Sequence, residues 1–408
     1  MFDVIIIGGG IAGLNASLKL SKNNRILLLD NRSYLGGRII THKKPVYEIG
    51  GARFNTSHKR LIKFVKKYDL PTYKLNKTID FVDNKTKILK KNVNRDIDSF
   101  FKEIIQKSNM LSKEKLITMT FKDLCLLYKS KSIVTKIISF FGYRSEFDSL
   151  NAYDALRCIK GDFNGNKFYY VIQGGLSRLC EKIGADIKSN GGKIKLKTYI
   201  TGVTKFNNSF TVKDRTGHTW TGHKIIFAVK PHQLKQFPLL KSIHPYIQNI
   251  NRVPLIRIYA KYNVGKNGVW FKGMNRTTTN SFLRHIIPMN ESTGLIMISY
   301  TDDKDTQVYF NNNKLLDTDT LNDKIHKEVC RLFPDKSIPK PTYFKCHLWT
   351  EGVHFWRKGS DSQKIFKKIL NPEKNIFICG EGFSLNQAWI EGALDTSDRV
   401  VDFINKSG

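Results

Sequence analysis

Uniformly apolar runs and short glycine-rich or polar stretches alternate in the first thirty residues. Residues 3–7 read Asp-Val-Ile-Ile-Ile, and a run that is apolar on both faces is typical of a strand buried in a parallel sheet. Glycines fill positions 8–10, and residues 14–20 carry a helical pattern. A second apolar run at residues 25–29 ends in Asp30. The pattern predicts a strand, a glycine turn, a helix and a second strand, as at the opening of an α/β fold.

Four later stretches also have a clear periodicity. Residues 95–160 place apolar side chains at mixed spacings of three and four, which predicts helices. Residues 224–231 and 375–379 each contain an apolar run, at residues 225–229 and 376–379, and predict two more buried strands. Residues 256–262 alternate instead, so Arg257 lies with other polar side chains on one face of a predicted strand.

Composition bounds the size of the protein and its partners. With 408 residues, 40% of them hydrophobic, the chain can form about two domains with sizeable cores. The 68 Lys and Arg residues outnumber 35 Asp and Glu, a net charge of +33 that favours an anionic macromolecule as partner. An AT-rich genome, such as that of a large DNA virus or a protist, would also explain the abundant Lys, Asn and Ile. Both explanations stay open, and the sequence does not indicate an oligomeric state.

The cysteines and the N-terminal residues indicate the cellular compartment in which we expect the protein. The six cysteines are scattered, with no C-x-x-C pair and no Cys/His cluster at metal-ligand spacing. We therefore expect a reduced intracellular protein with no metal site. No basic leader precedes the first predicted strand, and no apolar stretch approaches the roughly 18 residues of a membrane span. We expect a soluble, cytoplasmic protein.

The glycine turn has the spacing of a dinucleotide site. Residues 8–13 satisfy G-x-G-x-x-G between the first strand and the helix. In such a turn the second glycine lets the backbone approach a pyrophosphate, and the helix N-terminus faces the phosphates. Asp30 lies 22 residues after Gly8, near the spacing expected of an acid that binds a ribose hydroxyl. The predicted cofactor contacts here are Gly8, Gly10, Ile11, Ala12, Gly13 and Asp30.

Three further stretches indicate which dinucleotide is bound. Residues 30–38 read DNRSYLGGR, residues 48–54 read EIGGARF, and residues 380–395 include GEG and AWIEGALD. In this order they resemble the motifs of the flavin-containing amine oxidases, in which an E-x-R-x-x-x-G-G-R segment and a terminal G-E…G-W-x-E-G-A segment hold FAD. The resemblance implies FAD contacts from Asp30, Asn31, Arg32, Gly37, Arg38, Gly51, Ala52, Arg53, Phe54, Ile200, Gly380, Glu381, Ala388, Trp389 and Ile390.

The middle of the chain resembles the same family. Residues 170–176 resemble its G-G-[LM] turn, residues 195–200 its strand beside adenine, and residues 224–231 its V-x-A-x-P strand. The resemblance implies a two-domain α/β fold, with a discontinuous Rossmann-like FAD-binding domain and a substrate-binding domain that has a mixed sheet and helices. We place the FAD-binding domain in residues 1–54, 165–250 and 352–408, and the substrate-binding domain in residues 55–164 and 251–351, the first of these mainly helical.

The resemblance also implies a reaction. A hydride leaves a carbon next to the nitrogen of an amine or amino acid, flavin accepts it, and O2 reoxidises the flavin, while the protein positions substrate and excludes water. Many members carry a lysine that holds a water against the flavin, and Arg257 occupies its place here. An arginine can donate to water but cannot act as a base at neutral pH. The sequence leaves open whether oxidase activity survives this substitution.

Two sets of side chains are candidates for substrate contact. Members of the family often enclose the substrate nitrogen between two aromatic rings. Trp389 matches one ring, and we expect the other from His354, Phe355 or Trp356. Arg53 resembles the arginine that grips the substrate carboxylate in L-amino-acid oxidases, and a bidentate pair of this kind gives orientation as well as affinity. A bridge from Arg53 to FAD or to a helix is the alternative.

Other functions compatible with FAD stay open. The cysteine that binds flavin covalently in some members has no counterpart in residues 349–356, so we expect noncovalent FAD. Arg257 also fits the related desaturases and protoporphyrinogen oxidase-like enzymes, which oxidise bulky non-amine substrates in a wide apolar tunnel without an aromatic pair. The net charge of +33 fits a redox-impaired flavin-binding protein that uses a basic surface for an acidic partner.

Overall fold

The computed structural model describes residues 1–162 and 167–406, and the structural statements below concern those residues. They form two seven-stranded sheets, three small sheets and a group of helices. The strands are β1 (Phe2–Ile7), β2 (Ile26–Leu29), β3 (Thr41–Lys43), β4 (Val46–Glu48), β5 (Phe54–Asn55), β6 (Thr72–Lys74), β7 (Ile79–Val82), β8 (Leu89–Lys90), β9 (Tyr169–Ile172), β10 (Lys193–Lys195), β11 (Ile200–Phe206), β12 (Ser209–Asp214), β13 (Thr219–Phe227), β14 (Ile250–Lys261), β15 (Arg276–Thr279), β16 (His285–Asn290), β17 (Leu295–Asp302), β18 (Phe310–Asn311), β19 (Lys314–Leu315), β20 (Tyr343–Trp356) and β21 (Ile376–Ile378). The α-helices are α1 (Ile11–Leu20), α2 (Lys59–Lys67), α3 (Asn94–Ser108), α4 (Lys113–Ile117), α5 (Phe121–Tyr128), α6 (Lys131–Phe141), α7 (Ser145–Asp148), α8 (Ala152–Asp162), α9 (Ser177–Ser189), α10 (His244–Ile247), α11 (Thr318–Leu332), α12 (Ser362–Ile369) and α13 (Ile390–Lys406).

The first sheet confirms the unit predicted at the N-terminus. Its strand order is β10-β2-β1-β13-β12-β11, and β21 also pairs with β13. β1 lies parallel to β2 and β13, and β13 lies parallel to β21. Ile5 and Ile6, on opposite faces of β1, are both fully buried, as their uniformly apolar pattern requires. The carboxyl ends of these parallel strands share one edge, where the glycine turn begins.

The second sheet is mixed, with the strand order β20-β14-β17-β16-β15-β7-β8. β15 lies parallel to β7, and the other pairs are antiparallel. β14 lies between β17 and β20, so Arg257 faces Tyr300 on one neighbour and His347 on the other. Arg257 is therefore on an internal strand, and its side chain is 9% exposed.

The helical prediction for residues 95–160 is confirmed by α3 to α8. Local chemistry sets their ends: Thr120 and Asp123 form a capping box at the start of α5, and Ser130 caps α6. On α3, Phe100, Phe101 and Ile104 are buried on one face, as the mixed spacing of three and four predicts. This helical layer packs under β7 and β15 of the second sheet.

The predicted domain boundaries follow the sheets closely but stay predictions. The first sheet draws on residues 2–29, 193–227 and 376–378, and the second on residues 79–90 and 250–356. The boundary between residues 164 and 165 lies outside the described residues. At the last boundary, β20 passes as one strand through residues 351 and 352. In the part of the chain that the structure describes, no helix has both the length and the apolar character to cross a membrane.

Close packing of α1 on β1 gives a test of the fold. A Cβ at Gly13 would lie 1.9 Å from the Gly8 carbonyl oxygen, whereas a Cβ at Gly10 would meet no atom within 4 Å. We expect Gly13→Ala to lower the free energy of unfolding of the apoprotein by about 1–3 kcal/mol, because the helix must move away from the strand. Gly10→Ala is the matched control and should leave that free energy nearly unchanged. Urea unfolding followed by circular dichroism measures both; equal losses in the two variants would contradict this packing.

Candidate active site

The glycine turn is braced by the acid that ends β2. The Gly9 N–H donates to Asp30 Oδ2 at 2.5 Å, and the Arg32 N–H donates to Asp30 Oδ1 at 2.7 Å. A second turn touches the first, because the Gly36 N–H donates to the Gly9 carbonyl at 2.8 Å. Each Asp30 oxygen already accepts one backbone N–H. Its predicted bond to a ribose hydroxyl stays a prediction and would use a remaining lone pair.

The turn has room and donors for a dinucleotide phosphate. Gly10 caps α1 without a side-chain hydrogen bond, and the first N–H groups of a helix have no partner within it. The open space beside the Gly10 Cα lies in front of these donors. Arg32 lies nearby and donates to the Gly37 carbonyl at 2.6 Å. A phosphate suits this combination of open space, N–H groups and helix dipole, so the residues present fit the predicted FAD.

The other residues predicted to bind FAD come together from distant parts of the chain. The Gly51 N–H donates to the Arg38 carbonyl at 2.9 Å. A Cβ at Gly51 would lie 3.4 Å from Ile390 Cδ1, so the 48–54 loop packs on the start of α13. Phe54 and Ile200 are 3% and 5% exposed and begin β5 and β11. The contacts of these residues with FAD stay predictions.

An ion pair between a partly buried arginine and a buried glutamate joins two of the predicted FAD motifs. Arg38 Nη2 lies 2.7 Å from Glu381 Oε2, and His354 Nδ1 lies 2.8 Å from the same oxygen. The Ala388 N–H donates to Glu381 Oε1 at 2.8 Å. Burial alone would raise the pKa of Glu381, but the charges of Arg38 and His354 outweigh it and hold that pKa below its usual range. Glu381 is therefore charged and fully hydrogen-bonded where DNRSYLGGR meets the terminal motif.

A second buried carboxyl anchors the 48–54 loop. Glu48 Oε1 accepts from the Leu176 N–H at 2.6 Å, and Oε2 accepts from the Thr41 hydroxyl at 2.9 Å. Burial raises the pKa of Glu48 to about 7, because it outweighs these hydrogen bonds. Glu48 thereby links the loop to the G-G-L turn at residues 174–176.

Arg257 also holds this loop. Its Nη1 donates to the Gly50 carbonyl and, at 3.3 Å, to the Glu48 carbonyl, which also accepts from the Tyr259 hydroxyl at 2.6 Å. Its Nη2 donates to Tyr300 Oη at 3.4 Å, and its guanidinium carbon lies 4.6 Å from the centre of the Tyr300 ring. Arg257 is thus committed to the backbone of a predicted flavin loop, while its role beside the flavin itself stays a prediction.

Aromatic rings form a wall at the start of α13. The Trp389 ring lies 6.2 Å from the Tyr169 ring in a stacked orientation, and 4.8 Å from His58 edge-on. Asp162 holds both neighbours: its carboxylate lies 3.2 Å from His58 Nε2, and its carbonyl accepts from the Tyr169 hydroxyl at 2.5 Å. In the described residues, the rings against Trp389 therefore include His58, at the N-cap of α2, and Tyr169 on β9.

Three guanidiniums and three phenols meet beside Trp389. Arg53 Nη2 donates to Tyr143 Oη at 2.9 Å, and Arg276 Nη2 donates to the same oxygen at 3.2 Å. The Arg53 guanidinium carbon lies 5.0 Å from the Tyr169 ring centre and 6.0 Å from that of Trp389, within the range of cation–π attraction. We call this group the arginine–tyrosine cluster; its members are Arg53, Arg257, Arg276, Tyr143, Tyr169 and Tyr300.

Backbone geometry brings Tyr143 into the cluster. Helix α6 ends at Gly142, whose φ of +86° is a left-handed conformation that glycine adopts without strain. A Cβ there would lie 2.1 Å from His285 Cε1, so the helix end packs tightly against β16. The chain then turns, and the Tyr143 ring lies 4.6 Å from the His285 ring. Arg276 enters from the first position of β15.

The predicted aromatic partners of Trp389 have other contacts. Trp356 has no exposed surface, and its indole N–H donates to the Ser384 carbonyl at 2.9 Å. His354 is also fully buried, and it pairs with Glu381. Both support the turn before α13 in this structure, and their contact with a substrate stays a prediction.

Four members of the arginine–tyrosine cluster were not identified from the sequence. Tyr169 directly precedes the 170–176 stretch, which was compared with a family motif that does not include it. Tyr143, Arg276 and Tyr300 lie at a helix end, a strand start and a strand interior, with no motif around them. Alternation could have placed Tyr300 on one face of a strand, but the pairing of that strand with β14 depends on tertiary structure.

Comparisons with known proteins agree with this arrangement. The profile of the flavin containing amine oxidoreductases matches residues 11–405. The flavin-containing amine oxidase A of Bos taurus is 24% identical over 311 residues, covering 67% of this chain and 58% of the relative. The flavin-containing amine oxidase B of Mus musculus is 26% identical over 313 residues, covering 66% of this chain and 58% of the relative. The chain thus spans about 58% of the length of these curated relatives.

A solved structure shows the same fold over the whole chain. It is a putrescine oxidase redesigned in its cofactor binding, with a TM-score of 0.81 at 16% identity, and the match covers 100% of this chain and 99% of that one. The likeness confirms the two-domain α/β fold. Since the family profile covers nearly the entire sequence, this chain belongs to the flavin containing amine oxidoreductase family, whose cofactor is FAD.

Proposed function

We propose that the protein is an FAD-dependent oxidoreductase that oxidises a C–N bond of an amine or amino acid, with noncovalent FAD and O2 as the electron acceptor. The observation that supports this most directly is the aromatic wall around Trp389 beside the Arg53 guanidinium. Rings of this kind suit a substrate nitrogen, and a guanidinium suits its carboxylate. The match to a putrescine oxidase is evidence for the fold, and the substrate class is argued from this chain's own residues.

Each part of the site has a task in that reaction. FAD, when bound, accepts a hydride from the carbon next to the substrate nitrogen. The faces of Trp389 and Tyr169 exclude water and limit the orientations of the amine. Arg53 binds the carboxylate of an amino acid and so fixes its reacting carbon. Arg257 supports the 48–50 backbone through its carbonyl oxygens and keeps that loop in place.

The aromatic wall bears on the choice between amines and bulky apolar substrates. A tunnel for an apolar molecule would have no aromatic pair and would be lined by side chains without charge. Here Trp389 has Tyr169 and His58 beside it, and charged Arg53 and Arg276 lie next to them. These contacts support an amine or amino acid as the substrate.

Noncovalent binding of FAD is the first consequence to test. Acid precipitation of the yellow holoprotein should release all of the flavin into the supernatant, where its absorbance is measured. Gly10→Ala should weaken FAD binding by about tenfold or more, because the added methyl group occupies the space beside the helix N-terminus where a pyrophosphate approaches. Lys345→Ala, on the exposed surface of β20, is the control. Flavin that stays with the pellet, or equal FAD affinity in both variants, would contradict the assignment.

Anaerobic mixing with amines and amino acids tests the reaction. Loss of visible flavin absorbance should follow at least one of them, and admission of air should restore the absorbance with formation of peroxide. If none of a broad panel of amines and amino acids bleaches the flavin, the proposed reaction is wrong. If bleaching occurs but air does not restore the colour, only O2 as the acceptor is wrong.

Substitution of Arg53 tests how substrate is held. For an amino acid, Arg53→Met should raise the substrate Kd by about two orders of magnitude, because truncation leaves a buried carboxylate unpaired. For an amine without a carboxylate, the same variant should have little effect. Lys59→Met removes the same charge from an exposed position on α2 and should change neither. Unchanged amino-acid affinity in Arg53→Met would instead favour a structural role for this arginine.

A further inference from the structure

Among the described residues, the guanidiniums of the arginine–tyrosine cluster have no ion-pair partner within 4.0 Å. The polar contacts of Arg53, Arg257 and Arg276 are to phenol, imidazole and backbone carbonyl atoms. In residues 1–162 and 167–406, none of the three forms an ion pair with Asp or Glu within 4.0 Å. By contrast Arg284, a buried arginine close by, lies 3.2 Å from Asp305. Arg257 is buried, and Arg53 and Arg276 are mostly buried. Charges withdrawn from water are normally paired, so three unpaired guanidiniums in one place call for anions from outside the chain.

Nearby titratable groups supply little of that negative charge, since burial raises the pKa of Glu48, the carboxyl whose charge acts on Arg257, to about 7. Burial, together with the charge of Asp302, raises the pKa of Glu146 to about 8, which favours the neutral form of this carboxyl. His285 stays neutral, because burial and the charge of Arg276 lower its pKa well below the usual value. The pKa of Tyr143 is lowered: burial opposes its ionisation, but the neighbouring guanidiniums outweigh burial. An ionised Tyr143 would balance one of three positive charges.

The three guanidiniums differ in how much of their bonding capacity is used. Arg257 is fixed to two carbonyls of the 48–50 backbone and therefore belongs to the flavin loop. Arg53 and Arg276 each place one Nη2 on Tyr143 Oη, from 2.9 and 3.2 Å. The Nε atoms of Arg257 and Arg276 are both buried and have no acceptor among the described residues. Arg53 and Arg276 each keep donors for a bidentate carboxylate.

We propose that Arg53 and Arg276 bind the two carboxylates of one substrate, so that the amine oxidised here is an amino dicarboxylate. Tyr143 acts as the spacer between the two carboxylates, because both guanidiniums donate to its single oxygen. A monocarboxylate would leave one buried guanidinium without a counterion. The amine part of this inference rests on the proposed function, whereas the two-carboxylate subsite does not.

Binding of simple carboxylates to the holoprotein tests the subsite without turnover. The probes are succinate, glutarate and adipate, with butyrate as the monocarboxylate, and affinity is measured at pH 7 by calorimetry and by perturbation of the flavin spectrum. At least one dicarboxylate should bind about tenfold or more tightly than butyrate, because it pairs two buried guanidiniums instead of one. Butyrate that binds as tightly as every dicarboxylate would overturn the proposal.

Substitutions at Arg276 test whether this residue causes the preference for a dicarboxylate over butyrate. Arg276→Gln should abolish the preference for a dicarboxylate over butyrate while leaving butyrate affinity within about twofold, since Arg53 remains. Lys345→Gln removes the same unit of charge from the exposed face of β20 and should keep the preference. Arg276→Lys, which retains the charge, should recover part of it. If Arg276→Gln keeps the full preference, the subsite is elsewhere. If Arg276→Gln loses its flavin, the ratio of dicarboxylate to butyrate affinity is compared between Arg276→Lys and the wild type, and an equal ratio in both contradicts the assignment to Arg276.

Anaerobic reduction separates this proposal from the proposed function. Glutamate or aspartate should bleach the flavin at concentrations at least about tenfold lower than glutamine or asparagine, which have the same shape but a neutral side chain. If neutral amino acids or amines bleach it equally well and no dicarboxylate is preferred, the function stands and the subsite is wrong. If a dicarboxylate binds preferentially but no amine bleaches the flavin, the subsite stands and the reaction is wrong.

Discussion

The ion pair between Arg38 and Glu381 fixes the geometry on which the rest of the predicted flavin site depends. It joins a loop that follows β2 to the turn that precedes α13, more than three hundred residues later in the chain. A buried carboxylate is costly unless its lone pairs are satisfied. Here His354 and the Ala388 N–H complete the bonding. The predicted dinucleotide turn, the 48–54 loop and the aromatic wall all lie next to this junction.

Unlike Glu381, the guanidiniums of the arginine–tyrosine cluster have no oppositely charged partner within 4.0 Å among the described residues. Its guanidiniums lie on phenol rings and phenol oxygens, which attract a cation but carry no full charge. Around Glu381 the protein satisfies its own charge, whereas around Tyr143 we propose that it leaves charge for a ligand. This difference separates a structural buried arginine from a binding one, although both are arginines near the same predicted cofactor.

Sequence reasoning is most direct where the candidate site depends on contiguous residues. The glycine turn, the acid after β2 and the terminal motif each lie within a few positions of one another, and their backbone requirements are local. It failed where side chains converge from separate elements. Tyr143 follows a helix end, Arg276 starts a strand, and Tyr300 lies opposite Arg257 only because β14 pairs with β17. Register between strands is a tertiary property, so the contact of Tyr169 with Trp389 could not be read from the sequence.

Arg257 contacts both the 48–54 loop and the arginine–tyrosine cluster. A lysine at this place could hold a water with one compact ammonium, but a planar guanidinium has donors on two sides. On one side Arg257 binds the carbonyls of Glu48 and Gly50, and on the other it meets the Tyr300 ring. It therefore couples the loop predicted to contact flavin with the cluster predicted to hold substrate. A charge in the cluster therefore lies close to a guanidinium that is bonded to this loop, and burial leaves the interaction between the two charges little screened by water.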